Sequence, residues 1–220
     1  MTAMKKSVYS LVLMDDVVAA IDRLACRRQL SRSAMINQIL AGHVAMLTPE
    51  QRIKDIFSRL EELMNETFRV QPQQGTSMLS VRSALRFKYK PTIRYVVELF
   101  RETDGDAIGR LKVSFRTQNP DLIAALDSFF RLISDVESRL TEGSFDGDGG
   151  FHISEGRYVR AIHLPSDPDM RNAEAIGGAI ASYIRLLDSL IKLYFDNIDS
   201  PLAAKQLIEG AYNTYDEVFI

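Results

Sequence analysis

The sequence predicts an α+β protein. We expect a small N-terminal unit of one strand and two helices, a helical connector, and a C-terminal antiparallel β-sheet packed with long α-helices. One observation is the hydrophobic period, which is helical over the connector, alternates with a period of two after residue 79, and becomes helical again after residue 120. A second is a capping residue placed directly before a proline at four positions, which marks four helix starts: Pro49, Pro120, Pro168 and Pro201.

Composition favours a folded protein of two domains. The chain has 220 residues, of which 46% are apolar and 25% are charged, so it can bury a sizeable core. No apolar run is long enough to span a membrane, and no convincing signal-peptide cleavage site follows Lys5 and Lys6. The single cysteine, Cys26, excludes an internal disulfide and fits a reducing compartment, so we expect a cytoplasmic protein without membrane partners.

Charge is unevenly distributed along the chain. The formal net charge is −2, which argues against a general nucleic-acid binder. Residues 1–47, however, hold six Lys and Arg residues against three Asp, an excess of +3, which leaves −5 on the remainder. A small basic N-terminal unit is therefore joined to an acidic body.

The first 47 residues contain a strand, a helix, a tight turn and a second helix. In the strand, Tyr9, Leu11 and Leu13 alternate with Val8, Ser10 and Val12, and we expect the first set to face the helices. Asp15 or Asp16 is the expected N-cap of the first helix, with an apolar stripe of Val17, Ile21, Leu24 and Ala25. Ser31 is the expected N-cap of the second helix, whose core face is Met35, Ile36, Ile39, Leu40 and Val44. A unit of this size buries too little apolar surface to fold alone, which predicts a twofold dimer.

This unit resembles a known family. The segments that carry the resemblance are Tyr9-Ser10-Leu11-Val12-Leu13, Asp15-Asp16, Ile21, Leu24-Ala25 and Leu30-Ser31-Arg32-Ser33-Ala34-Met35-Ile36. They resemble the ribbon-helix-helix (MetJ/Arc/CopG-type) DNA-binding proteins over roughly a fifth of the chain. The resemblance implies a homodimer whose paired strands enter the major groove of double-stranded DNA, while the N-termini of the second helices hold phosphates.

The resemblance assigns DNA-binding roles to eight residues. Val8, Ser10 and Val12 would face the base edges, and Lys5 and Lys6 would contact phosphates. Ser31, Arg32 and Ser33 would form the phosphate-binding start of the second helix. Two valines are poor readers of base edges, so a second interpretation stays open, in which the fold serves only for dimerisation in a protein-interaction or antitoxin-like module. Gln29 also departs from the family, which often has glycine in this turn.

Residues 48–78 are expected to form the connector and a linker. Thr48-Pro49-Glu50-Gln51 starts a helix whose stripe includes Ile53, Ile56, Phe57, Leu60, Leu63 and Met64. That stripe fits either a short intersubunit coiled coil or packing on the second domain. The polar segment QPQQGTS, residues 71–77, is the expected linker.

Residues 79–220 are expected to form the second domain, with a role in oligomerisation or ligand sensing. Strands are predicted near 79–89, 92–101 and 108–117, followed by a helix over 120–140. A glycine-rich loop over 143–150 precedes a fourth strand over 158–164, a long helix over 168–197 and a final helix from 201.

Several basic residues of this domain fall on strand positions that face away from the core. They are Arg82, Arg86, Lys88, Lys90, Arg94, Arg110, Lys112 and Arg116. Such a set fits either a solvated sheet face or a surface that binds DNA backbone or an anionic ligand.

Catalytic and metal sites are not indicated. His43, His152 and His163 are too scattered for a metal site, and the loop after Asp146 lacks the glycine and the closing glutamate of a calcium loop. No nucleophile, base and orienting group occur in a recognisable order, so we expect neither an enzyme nor a cofactor. The function that the sequence favours is transcription regulation by a DNA-binding dimer, with a DNA-partition or mobilisation accessory protein as a weaker possibility.

Overall fold

A computed structural model of the chain describes residues 8–43, 48–64, 68–72, 77–87, 91–105, 107–140 and 151–215. Within these ranges the protein is α+β, with six α-helices and a six-stranded antiparallel sheet. The chain forms two compact units, residues 1–52 and 53–220. The α-helices are α1 (Asp15–Arg27), α2 (Arg32–His43), α3 (Pro49–Met64), α4 (Pro120–Leu140), α5 (Ala173–Asp196) and α6 (Pro201–Asn213). The strands are β1 (Arg69–Pro72), β2 (Met78–Ala84), β3 (Thr92–Asp104), β4 (Ala107–Phe115), β5 (Phe151–Ser154) and β6 (Arg157–His163).

The sheet is a meander extended by a hairpin. Its strand order is β1-β2-β3-β4-β6-β5, and every neighbouring pair is antiparallel. The chain passes from β4 through α4 to the far edge, and the β5–β6 hairpin then returns beside β4. Both turn residues of that hairpin, Glu155 and Gly156, have positive φ (50° and 70°), as tight hairpin turns require.

One face of the sheet carries the core of the second unit. Ile93, Tyr95, Val97 and Leu99 of β3 are all buried, which confirms the predicted alternation. Apolar residues of α3, α4, α5 and α6 complete the same core, and on α4 they include Leu126, Phe129, Phe130 and Ile133. The intervening residues of the strands, such as Arg94 and Val96, are half-buried on the opposite face.

The connector helix packs in that core. Thr48 accepts a hydrogen bond from the Gln51 N–H (3.1 Å), which confirms the predicted helix start. Ile53, Ile56 and Leu60 are 2% exposed or less within the core of the second unit. Packing on the second domain is therefore the correct interpretation of the stripe, and an intersubunit coiled coil through these side chains is wrong.

A glycine allows α5 to approach α3 closely. A Cβ atom added to Gly177 would lie 3.0 Å from Arg59 Cβ and 3.1 Å from the carbonyl oxygen of Ile56. The same atom on the neighbouring Gly178 would meet nothing within 4 Å. Of the two adjacent glycines, Gly177 alone is required for this close helix packing.

Other helix starts were predicted with mixed success. Asn119 caps α4 by accepting from the Asp121 and Leu122 N–H groups (2.9 and 3.3 Å), and α4 has the predicted bounds. Asp167, in contrast, caps only the three-residue 3-10 helix Pro168–Met170. The long helix begins at Ala173 because Asn172 caps it, accepting from the Ala175 N–H (2.8 Å).

Two strands were missing from the prediction. Gln71 and Pro72, at the start of the predicted linker, belong to β1 and pair with β2, so that part of the linker is wrong. Phe151–Ser154 forms β5 at the opposite edge. The predicted glycine-rich loop over 143–150 lies outside the described residues.

Candidate nucleic-acid interface

The N-terminal unit has a very small core. Its buried apolar residues are Ile21, Ala25 and Met35, and Leu30 and Ile36 pack against them half-buried. Val17 and Leu24, predicted for the same stripe, are about one-third exposed (37% and 38%), and Ile39 and Leu40 of the predicted core face are more exposed still. Val44 lies outside the described residues. The helix pair is therefore as predicted, but it leaves a good part of its apolar surface uncovered.

No described residue pairs with the predicted strand of this unit. Residues 8–14 form no hydrogen-bonded strand, and every one of them is exposed. An alternation is visible within this segment, since Leu11 and Leu13 are 59% and 39% exposed whereas Val8 and Val12 are fully exposed. Tyr9, at 81%, departs from it. A strand at this position requires an edge that the described residues do not supply.

The turn between α1 and α2 has the strained backbone that its sequence suggested. Gln29 has φ of 53°, in the left-handed region that glycine adopts at little cost. Leu30 N–H donates to the Ala25 carbonyl (2.9 Å), which closes the end of α1. The N-cap of α1 is Met14, without a side-chain bond, so the predicted capping by Asp15 or Asp16 is wrong, and both lie in the first turn.

The start of α2 is capped as predicted and is open to solvent. Ser31 Oγ accepts from the Ala34 N–H (3.2 Å). Ser31, Arg32 and Ser33 are all exposed. The N–H groups of Arg32 and Ser33 belong to the first turn and have no acceptor within the helix, so this end of α2 offers donors and a favourable dipole to an anion.

Arg32 is held by an acidic side chain of α1. Its Nε and Nη2 donate to the two carboxylate oxygens of Asp22 (2.7 and 2.6 Å). The hydrogen bond from Arg32 lowers the pKa of Asp22 below its ordinary value, and the pKa of Arg32 is raised in return. The pair joins α1 to α2, and a phosphate at this place must share the guanidinium with Asp22.

The structure thus brings Ser31, Arg32 and Ser33 together at the start of one helix. Val8, Ser10 and Val12 are exposed on an unpaired segment, and Lys5 and Lys6 lie outside the described residues. Their contacts with DNA stay a prediction.

A second basic surface lies on the face of the sheet opposite the core. It holds a groove of about 690 Å³, and the cations that line it are Arg82, Arg94, Lys112, Arg116 and Arg157. Four of these belong to the basic set taken from the sequence; Lys88 and Lys90 of that set lie outside the described residues. Arg157 is absent from that set because the sequence places the fourth strand over 158–164, whereas β6 begins at Arg157. Its position next to the buried Tyr158 is a signal in the sequence that it faces away from the core.

Arginines face one another directly across the strands of this surface. Arg82 of β2 is paired with Arg69 of β1 on one side and with Arg94 of β3 on the other. Side chains of directly paired residues point to the same face of a sheet. We call Arg69, Arg82, Arg94 and Arg157 the arginine row.

At the opposite end of the same face, one carboxylate offsets part of the positive charge. Glu98 of β3 accepts from Arg110 Nε (2.7 Å) and pairs with Lys112 Nζ (2.7 Å). The hydrogen bond from Arg110, together with Lys112, lowers the pKa of Glu98 below its ordinary value of 4.5. Positive charge is therefore concentrated at the arginine row.

Buried polar groups elsewhere stabilise the fold. The Glu137 carboxylate pairs with Arg160 Nε (3.0 Å) and accepts from the hydroxyls of Tyr183 and Tyr212 (both 2.6 Å). Burial raises the pKa of both tyrosines, followed by the Glu137 charge for Tyr183 and by Tyr183 and then Glu137 for Tyr212, so both hydroxyls stay protonated donors. Glu137 is fully buried, which closes this group of side chains to a substrate.

Neither metal-binding nor membrane-spanning features occur in the described ranges. No group of three or more His, Cys, Asp and Glu side chains there is placed to hold a metal ion. None of the described helices combines the length and the apolar content needed to cross a bilayer.

No protein-family model, curated protein or solved structure matches the chain.

Proposed function

We propose that the protein is a homodimeric, sequence-dependent DNA-binding protein that regulates transcription through its N-terminal unit. The observation that carries this proposal is the combination of a core of three buried residues with an exposed apolar segment, residues 8–14. In the proposed dimer the two segments pair as an antiparallel ribbon that lies in the major groove.

Dimerisation is supported by the apolar surface that one chain leaves uncovered. Leu11, Leu13, Ile39 and Leu40 are each more than one-third exposed in the single chain. Fully burying an exposed leucine or isoleucine side chain contributes about 1.5–3 kcal/mol, and covering these partly exposed side chains on both chains contributes a fraction of that each against the cost of association. Pairing of the two segments would also satisfy the backbone groups of residues 8–13, for which the described part of the chain shows no hydrogen-bonded strand.

DNA binding is supported by the groups next to the proposed ribbon. Ser31, Arg32 and Ser33 form the exposed, capped start of α2, where phosphate oxygens accept from backbone N–H groups. Lys5 and Lys6 precede the segment and add charge for phosphate contacts. Ser10, at the centre of the ribbon, is the expected polar contact with a base edge, and Val8 and Val12 are expected to touch thymine methyl groups.

The test is a titration of the full chain on a duplex selected from random sequence and on its scrambled counterpart, at two salt concentrations. Ser10→Ala should weaken binding to the selected duplex by about 1 kcal/mol and leave binding to the scrambled duplex unchanged. Lys6→Ala, as the matched control, should weaken binding to both duplexes alike. It should also lower the slope of log affinity against log salt concentration by roughly one unit. Equal affinity of the wild type for both duplexes would contradict sequence-dependent binding.

A second candidate function is a protein-interaction module, with antitoxin-like binding as one form. Two observations favour it: the outward residues Val8 and Val12 are apolar, and Arg32 is already paired with Asp22. In that case the exchange of Val8 and Val12 for threonine leaves DNA binding unchanged and weak, while the protein remains a dimer.

A further inference from the structure

We propose that the arginine row on the open face of the sheet binds the phosphate backbone of duplex DNA, as a sequence-independent contact separate from the N-terminal unit. The proposal rests on the proposed function in one respect only, the choice of duplex DNA as the polyanion. The positive charge of the face comes from the strand register and does not depend on that function.

The row follows from the strand register. Arg69, Arg82 and Arg94 occupy directly paired positions on β1, β2 and β3. Ser114 of β4 is paired with Arg94. Because its neighbour Val113 is paired with Tyr158, Arg157 lies on the next strand, β6, at the position that follows Ser114 across the sheet. Neighbouring strands are about 4.8 Å apart, so the four arginines are spread over roughly 19 Å across five strands.

This arrangement is unfavourable without an anion. Like charges that face each other directly across two strands repel, and Arg82 has such a neighbour on both sides. Within the described ranges, no carboxylate forms an ion pair with Arg82, Arg94 or Arg157. Arg94 Nε donates instead to Ser80 Oγ (3.1 Å), a neutral acceptor that does not offset the guanidinium charge. A surface that keeps this repulsion in a chain of net charge −2 is suited to bind an anion.

The length of the row and its neighbours select the kind of anion. A row of roughly 19 Å exceeds the size of one phosphate group and fits successive phosphates of a nucleic-acid backbone. Binding of single strands relies on aromatic side chains on which the bases stack. The outward residues of the described strands beside the row are not aromatic; they are Ser80, Val96, Lys112, Ser114 and Val159. Phe115 and Tyr158 also line the groove, but Tyr158 belongs to the core and Phe115 packs against it, which favours contact with the backbone of a duplex.

The test compares charge-matched variants of the full chain on a duplex of random sequence. Arg82→Gln/Arg94→Gln should lower affinity about tenfold at low salt and reduce the salt slope by one to two units, roughly one per lost phosphate contact. The control Lys54→Gln/Arg131→Gln removes the same charge from exposed positions on α3 and α4 and should stay within about twofold of wild type.

Thermal unfolding without DNA separates lost binding from lost folding. Since Arg82 lies between two arginines, Arg82→Gln should raise the Tm by about 1–3 °C. A lower Tm would overturn the proposal, because the repulsion on which it depends would then be absent.

Further outcomes would also overturn it. One is equal affinity of the Arg82→Gln/Arg94→Gln variant and its control for the random duplex. Another is stronger stabilisation by inorganic tripolyphosphate than by the duplex, which would assign the face to a small anion. The result for the N-terminal unit is independent, because Ser10→Ala reports on the selected duplex alone. The wild type could bind selected and scrambled duplexes equally while Arg82→Gln/Arg94→Gln still lowers affinity. That result would contradict the proposed function and leave this inference standing.

Discussion

The side chains of Glu137 and Arg160 form an ion pair of 3.0 Å inside the second unit, between α4 and β6, with solvent excluded from both. The second carboxylate oxygen of Glu137 accepts from two tyrosines, and the Arg160 guanidinium lies 4.4 Å from the Tyr183 ring centroid. Four elements, α4, β6, α5 and α6, thus meet at one carboxylate. The geometry of the core around it depends on a charge that must keep its partner.

Glu137→Gln should therefore destabilise the protein by about 3–5 kcal/mol, since it leaves the Arg160 charge buried without its counter-ion. Urea unfolding monitored by circular dichroism measures this. The control is Asp135→Asn, an exposed position of the same helix with the same charge change, which should stay within about 0.5 kcal/mol of wild type. Similar stability of the two variants would contradict a structural role for the pair.

The glycine pair of α5 should respond in opposite directions to the same substitution. Gly177→Ala places a methyl group 3.0–3.1 Å from Arg59 and the Ile56 carbonyl, which forces α3 and α5 apart and should cost about 1–3 kcal/mol. Gly178→Ala has free space and should stabilise the helix by about 0.5–1 kcal/mol. Equal effects in the same unfolding assay would show that the close approach of α3 to Gly177 is absent.

Stability at acid pH should depend on Glu98. Arg110, followed by Lys112, lowers its pKa below 4.5, so its contribution is complete above the ordinary carboxyl range and is lost as the pH falls through the lowered pKa. Glu98→Gln should consequently be less stable than wild type at pH 7, and the difference should shrink below pH 4.5. Urea midpoints of both proteins between pH 7 and pH 3 test this, and a constant difference would contradict it.

Removing the partner of Arg32 should increase binding to DNA. Asp22→Asn releases the guanidinium for phosphate, so we expect affinity for selected and scrambled duplexes to rise about two- to tenfold at low salt. Asp16→Asn changes the net charge equally but leaves the Asp22–Arg32 pair intact, and it should have the smaller effect. Equal gains would assign the increase to net charge alone.

Opposite sides of the proposed ribbon should differ in their tolerance of charge. Leu11→Asp should abolish dimerisation of the full chain, because the dimer would bury an unpaired carboxylate at a cost of several kcal/mol. Val12→Asp, on the fully exposed side of the same segment, should leave the dimer intact. Sedimentation measures both, and a dimeric Leu11→Asp protein would contradict the proposed pairing.

The parts of the fold with a local signal were predictable from sequence. Thr48 and Asn119 cap helices where their sequence motifs placed them, and the alternation of Ile93, Tyr95, Val97 and Leu99 gave a strand with one buried face. Asp167 shows the limit, since a cap followed by proline also fits a single 3-10 turn, and Asn172 has no proline to mark it.

Features that depend on pairing across the chain were not predictable. β1 and β5 have four residues each, too few for an alternation to be read. The Glu137–Arg160 pair does leave a signal in the sequence. Glu137 continues the apolar stripe of α4 through Ile133, and Arg160 shares the inward face of β6 with Tyr158 and Ile162. The arginine row required the register of β1, β2 and β3, which no single segment encodes.

The short strands β1 and β5 limit the pairing of the sheet with strands of other molecules. Both of its edges, β1 and β5, are only four residues long, and β1 ends in Pro72, which has no N–H to donate. An incoming strand would find few backbone groups to pair with, so edge-to-edge joining of sheets, the usual start of aggregation in open β-structures, is disfavoured here. A sheet can keep one broad face uncovered without polymerising when its edges are closed in this way.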